Sequence, residues 1–347
     1  MIHPYNIADV QFQLGDPIGQ EGRNSDVFKA IDLHLDAEIV MKRMEKTKLN
    51  LDNYFSEAQI LYKSSHPYIA PIHYACQDEN YIYLAMPFFK NGSIKSKMNE
   101  RRLTCKEIIR YSIQFVTGLH NIHSKNLVHL DIKPDNILIS DRDEAVLADF
   151  GLSKNLDENG QAELSRHYIT HLAPEVFTQA PGLKPIIDRQ YDIYQAGVTI
   201  YRMVVGNEKF YAQRDELFAQ GALQRSIASG DFPDRNAIPF HVPRTLKNII
   251  LKCLNPLPSE RYQSAHELYN ALSNISSPGC NWQYEEVADG ASYTNVNEDG
   301  SSIILTLLDN RSCIAYTVNA DGMQRRIVPM CKDRVTDQEL YRFMMSK

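Results

Sequence analysis

The stretch HLDIKPDN, residues 129–136, constrains this chain more than any other. Two short apolar runs bracket it, so a polar cluster is pinned between buried anchors. Asp131 is placed to orient a hydroxyl and accept its proton. Lys133 can neutralise charge on a phosphoryl group in transfer, and Asn136 offers a carbonyl oxygen to a hard cation. Further along, LADFGLSK (147–154) sets Asp149 on a turn beside Gly151. Such a carboxylate suits Mg²⁺, which takes few protein ligands beside phosphate and water. Positioning, metal ions and charge neutralisation are what phosphoryl transfer asks of a protein.

The pattern around this loop predicts a β-rich segment followed by a helical one. FQLGDPIG, SDVFKAIDL and AEIVMKRM read as three consecutive strands, and APIHYACQD and YIYLAMPFF as two more. Between them NYFSEAQILYKSS has helical spacing, with Phe55, Ile60 and Leu61 on one side. A long helix follows the capping box Thr104-x-x-Glu107, with Ile109, Ile113, Val116 and His120 on one face. Further helices are expected over 191–206, 214–229, 243–254 and 264–274. The fold class by element order is α+β. The expected domains are a lead over 1–10, a β-rich lobe over 11–89, a helical lobe over 90–275 and an accessory α+β domain over 276–347. That last boundary rests on the Ser/Pro/Gly stretch SNISSPGCN. Beyond it, Asp-Gly turns at 289–290, 299–300 and 321–322 separate short strands, and a final helix starts at Thr336.

IGQEGRNSDVFKA puts Gly19 and Gly22 between two strands, where backbone N–H groups can approach phosphate oxygens. The next strand leads to Lys42, and Glu57 follows on the first helix. A strand lysine held by a helical glutamate suits clamping of α- and β-phosphates. Taken alone, Lys42 reads as a solvated strand residue; the succession of parts is what singles it out. LAPEV (172–176) closes the series.

In this order and spacing, the motifs over residues 10–275 resemble a eukaryotic-like (Hanks-type) serine/threonine protein kinase. The resemblance implies a bilobal kinase fold with ATP and Mg²⁺ as cofactors and protein Ser/Thr hydroxyls as acceptors. It implies Asp131 as catalytic base, Lys133 near the γ-phosphate, the Lys42–Glu57 pair on the ATP phosphates, and Asn136 and Asp149 as metal ligands. Met86 falls at the gatekeeper position before a hinge that uses a carbonyl at Pro87 and an N–H at Phe89. Ile18, Val27, Val40, Leu138 and Ala148 would enclose the adenine. Glu175 would pair with Arg261, and Asp192 would brace the catalytic loop.

Three departures stand out. The glycines at 19 and 22 do not follow G-x-G-x-x-G, and Asn24, Ser25 and Asp26 replace the last glycine. Leu130 stands where the family's arginine takes up a phosphate on the activation loop, a non-RD loop, which predicts activity without that phosphorylation. SRHYITHLAPE places Tyr168 and His171 where Thr and Tyr are expected, with Thr170 as an alternative hydroxyl. Ser153, Ser165 and Thr170 are candidate phosphosites or plain loop hydroxyls. The competing readings are a pseudokinase, acting as an ATP-binding or scaffold module, and a small-molecule kinase on the same fold. Lys42, Asp131 and Asp149 together speak against the first, and the Ala-Pro-Glu segment against the second.

The net charge of −6 gives no general attraction to nucleic acid or an anionic membrane. The segment 281–347 has seven Lys and Arg against ten Asp and Glu, a net of −3. No apolar run approaches the roughly 18 residues of a membrane span, and the first residues lack a basic-then-apolar leader. The scattered cysteines form no C-x-x-C. A cytoplasmic protein is the expectation. The C-terminal domain's partner is not specified by its residues; recruitment of a substrate is one expectation. Trp282, Tyr284, Tyr293 and Tyr316 read first as the core of a small sheet and second as a peptide surface.

Overall fold

The computed structural model describes residues 9–18, 25–48, 55–164, 169–178, 184–276 and 278–347. Strands β1 (Phe12–Pro17), β2 (Ser25–Asp32), β3 (Ala37–Glu45), β4 (Tyr74–Gln77) and β5 (Tyr81–Pro87) form one antiparallel sheet in the order β1-β2-β3-β5-β4, with α1 (Ser56–Lys63) between β3 and β4. The period of two divides its side chains between faces. Ala30, Ile39, Met41, Tyr83 and Ala85 build a core on one face with Phe12 and Leu14. Register pairs Val27 with Lys42, Lys42 with Leu84 and Val40 with Met86, so these side chains share the opposite face. Met44, Ile82 and Leu84 on that face belong to the main core of the helical lobe.

The helical lobe begins with α2 (Ile94–Glu100) and α3 (Cys105–Ser124). Thr104 and Glu107 cap α3 reciprocally, as the motif predicts. Its buried face differs from the expected one. Ile108, Tyr111, Phe115, Leu119 and Ile122 point into the core, while Ile109 and Ile113 are half-buried and His120 is exposed. The short pairs β6 (Leu127–Val128) with β9 (Lys154–Asn155) and β7 (Ile137–Ile139) with β8 (Ala145–Leu147) pin the catalytic loop at both ends. A small pair, β10 (Ala162–Glu163) with β11 (Ile186–Ile187), follows. Then come α4 (Arg189–Val205), α5 (Asn207–Ala219), α6 (Leu223–Ser229), α7 (Arg244–Cys253) and α8 (Ala265–Ser273). The single helix expected over 214–229 is two helices, because the chain turns at Gly221 with φ +64°.

Every residue of α4 from Tyr191 to Val205 is buried. A helix enclosed on all sides is a central strut of its lobe. It ends at Gly206, where φ is +91° and a Cβ would strike the guanidinium of Arg102. That guanidinium donates to the Val205 carbonyl.

The C-terminal residues form an antiparallel meander, β12 (Gln283–Val287), β13 (Gly290–Val296), β14 (Ser302–Leu308), β15 (Cys313–Val318) and β16 (Gln324–Arg326), closed by α9 (Asp337–Met345). The Asp-Gly dipeptides fall in three of its turns. Trp282, Tyr293, Leu305, Leu340 and Met344 make its core, and Trp282 Nε1 donates to the Met344 carbonyl at 3.0 Å. Tyr284 and Tyr316 are half-buried. This unit docks on the helical lobe. Phe240 packs on Tyr293, His241 stacks on Tyr284, and Glu286 meets Lys209 at 3.0 Å and Arg102 at 3.3 Å.

Candidate active site

β3 carries Lys42 on its inner face, and α1 presents Glu57 to it. Lys42 Nζ donates to Glu57 Oε1 at 2.8 Å and Oε2 at 3.0 Å, and to Asp149 Oδ1 at 2.8 Å. Lys42 and Glu57 are buried. Burial opposes the ammonium charge, but Asp149 and Glu57 outweigh it and raise the Lys42 pKa. Burial also pushes the Glu57 carboxyl up, and the two-oxygen contact with Lys42 counters it. Lys42 holds the Asp149 carboxyl down at about 2. The Asp149 side chain remains 47% exposed, and its bonds from Lys42 and from Gly151 N–H both end on Oδ1.

Asp131 lies in a second, linked cluster. Lys133 Nζ donates to its Oδ2 at 3.0 Å, and Asn136 Nδ2 donates to the same oxygen at 2.7 Å and to the Asp131 carbonyl at 2.9 Å. With its NH₂ committed to Asp131, Asn136 presents its amide oxygen on the opposite side. Burial raises the Asp131 pKa, and Lys133 works against that rise.

The loop's backbone is fixed from beneath by α4. Asp192 accepts from the N–H groups of His129 and Leu130, both at 2.8 Å. Gln195 accepts from Ile132 N–H at 3.1 Å and donates to the Leu130 carbonyl at 3.1 Å. Thr199 donates to the Ile132 carbonyl at 3.2 Å. His129 Nε2 donates to the Ala148 carbonyl at 3.1 Å, which leaves Nδ1 to accept from Asp131 N–H at 3.3 Å. That tautomer is neutral, in keeping with a pKa lowered by burial. Phe150 is buried edge-on against His129, with centroids 4.7 Å apart.

Asp192, Gln195 and Thr199 recur at helical spacing on one face of α4, and Arg202 continues the row. Only Asp192 was expected from the sequence. The signal for the others is a polar row in an otherwise apolar helix, which in one dimension looks like a solvated face. Farther down, Arg261 grips Glu175 through two bonds of 2.8 and 2.7 Å.

The apolar cleft is formed from both lobes. Val27, Val40 and Met86 project from the sheet, and Ile18 N–H donates to the Val27 carbonyl at 2.7 Å. Leu138 and Phe89 pack against Ala70, Val146 and Ala148 below. Pro87 ends β5. Gly19, Gly22 and Asn24 lie outside the described residues, as do Ser165 and Tyr168. Ser153 Oγ donates to the His129 carbonyl at 3.3 Å. Thr170 sits 3.1 Å from Nδ1 of His171, whose Nε2 accepts from Arg202 at 3.1 Å. The Leu130 side chain is 2% exposed and belongs to the main core.

A lysine–glutamate pair, a buried loop aspartate and a half-exposed turn aspartate, set between a sheet and a helical lobe, describe a phosphotransferase cleft. The protein kinase domain family matches residues 12–272, and the chain belongs to that family. It is 27% identical over 306 residues to a protein of Clostridium acetobutylicum named "Probable serine/threonine-protein kinase", covering 84% of this chain and 44% of that one. It is 26% identical over 309 residues to serine/threonine-protein kinase PknD of Protochlamydia amoebophila, covering 78% and 30%. A Dictyostelium discoideum protein also named "Probable serine/threonine-protein kinase" is 27% identical over 241 residues, covering 68% and 50%. The chain thus spans about half or less of the length of these relatives. No helix among the described residues is long and apolar enough to cross a membrane.

Proposed function

We propose that this chain transfers the γ-phosphoryl group of ATP to serine or threonine hydroxyls of protein substrates, without prior phosphorylation of its activation segment. The observation that carries the reading is Lys42 Nζ at 2.8 Å from both Glu57 and Asp149. In this reading Lys42 grips the α- and β-phosphates with Glu57 as its brace. Ile18, Val27, Val40, Met86 and Leu138 enclose the adenine, and the hinge offers Pro87 C=O and Phe89 N–H. The acceptor hydroxyl rests on Asp131. Its oxygen bonds to the γ-phosphorus as the phosphorus–bridging-oxygen bond breaks, the electron pair leaves with ADP, and the hydroxyl proton passes to Asp131. Lys133 neutralises charge on the transferring group.

The oxygens of Asp149 and Asn136 that the bonds with Lys42 and Asp131 do not use suit a hard cation such as Mg²⁺. Such a pair matches a cation completed by phosphate and water. Bound Mg²⁺ would supply charge neutralisation on the phosphates. The choice of serine and threonine draws support from Lys133 and from the relatives' names. Independence from activation-segment phosphorylation draws support from Leu130, an apolar side chain sunk in the core, and from the Lys42–Glu57 and His129–Phe150 contacts, which use the chain's own groups.

The test is transfer of label from ATP in Mg²⁺ by phosphatase-treated protein, beside Asp131→Asn. Wild type should label itself or a generic acceptor without a lag, and Asp131→Asn should be slower by about 10²–10⁴-fold. Equal labelling by both would remove Asp131 from its role. Absence of both transfer and ATP binding would give the chain to the scaffold reading.

A further inference from the structure

Beside the catalytic loop, a cavity of about 610 Å³ opens between α2, α5 and the segment before LAPEV. Lys133 lines it and also touches Asp131, so the cavity adjoins the place assigned to the acceptor hydroxyl. Its walls carry Lys95, Lys133, Arg202 and Arg214 against Asp135 and Asp215. That excess of cations stands out on a chain of net charge −6.

Arg202 is the informative member. It is 1% exposed, yet its nearest carboxylate oxygen, on Asp135, is 3.7 Å away. Asp135 is already held by Lys95 at 2.6 Å. The Arg202 guanidinium donates to neutral partners instead: His171 Nε2 at 3.1 Å, Asn207 Oδ1 at 2.9 Å and Tyr211 Oη at 3.0 Å. His171 is kept neutral by burial and by Arg202 itself. Arg202 Nε has no hydrogen-bond partner among the described residues. A buried cation with a distant, shared counter-ion and an unused donor is costly unless an anion joins it. Arg214 stands at the rim and is paired with Asp215.

We infer that this cavity is a subsite for an anionic side chain, carboxylate or phosphate, carried by the protein substrate near its acceptor residue. The inference rests on the kinase reading for the identity of the ligand as a substrate. A guanidinium donates N–H bonds to either anion, which suits it to this task. Substrates with acidic or already phosphorylated flanks would be preferred, and those with basic flanks would be turned away by the same charges.

The experiment uses fluorescent peptides with alanine in place of the acceptor, so that binding is read without turnover. Glu, phosphoserine or Lys is scanned through the positions flanking that alanine, against the full chain and its Arg202→Met and Arg214→Gln forms. The best Glu or phosphoserine peptide should bind about tenfold more tightly than its Lys counterpart, with the gap narrowing as salt rises. Each arginine variant should cut the gap severalfold. Preference for Glu would identify a carboxylate site, and preference for phosphoserine a phosphate site. Should Arg202→Met melt early, Arg214→Gln at the rim carries the comparison. Equal binding of all peptides, preference for Lys, or a gap unchanged in the arginine variants overturns the inference. Transfer to the serine versions is scored separately. Anion preference without transfer strikes the kinase reading and spares the subsite, and transfer without preference does the reverse.

Discussion

Leu130 combines a left-handed backbone, φ +69°, with a side chain packed in the main core. The conformation is held by bonds from its N–H to Asp192 and from Gln195 to its carbonyl. For a residue with a β-carbon that conformation costs about 1–2 kcal/mol. Two substitutions separate backbone from side chain. Leu130→Ala removes core packing and keeps the strain, and should lose about 2–5 kcal/mol in denaturant unfolding. Leu130→Gly removes the same packing but relieves the strain. It should come out more stable than the alanine form by about 1 kcal/mol, the reverse of the usual order. Glycine less stable than alanine would mean that the loop does not hold this conformation in solution.

At the scale of elements, α4 is a backbone clamp. Gln195→Leu would leave Ile132 N–H and the Leu130 carbonyl buried without partners, at about 1–3 kcal/mol each. The loop would relax around Asp131, whereas Lys42 and the apolar cleft lie on other elements. We expect kcat to fall by up to about 10²-fold with little change in KM for ATP. An equal rise in that KM would show that the clamp also shapes the nucleotide site. The polar row behind this clamp was not legible in the sequence. Whether Gln195, Thr199 and Arg202 face water or a buried loop depends on what packs there, and that is a long-range fact. The same limit explains α3, whose core face includes the polar side chains of Ser112, Gln114 and His123, which a search for apolar periodicity does not select. The strands of the first sheet and of the C-terminal meander were legible, because alternation and Asp-Gly turns are local signals. The order of the chemical residues along the chain was also legible; the distances among Lys42, Glu57, Asp131 and Asp149 come only with the fold.

Taken whole, the molecule joins its C-terminal unit to the helical lobe through aromatic rings and a few charges. His241 is buried at that joint, its ring stacked on Tyr284 and edge-on to Tyr293, with Nδ1 unpartnered among the described residues. Burial, and then Arg102 and Lys209, lower its pKa from 6.5 to about 4. A lowered histidine pKa means that the unfolded chain binds the extra proton first. Stability is therefore complete above about pH 6.5 and declines as pH falls towards 4, by up to about 3 kcal/mol from this residue. Melting temperatures from pH 7.5 to 4.5 should fall more steeply for wild type than for His241→Phe. Parallel curves would show that the joint does not exclude the proton.

The enclosure of α4 also sets a clock. Its amide hydrogens, shielded over Tyr191–Val205, can meet solvent only when the lobe around them opens. In deuterated buffer they should be among the last to exchange, at a rate set by global unfolding. The edge strands β1 and β16 should be replaced early. A time course of mass along the chain would therefore trace the catalytic loop's foundation as its slowest segment.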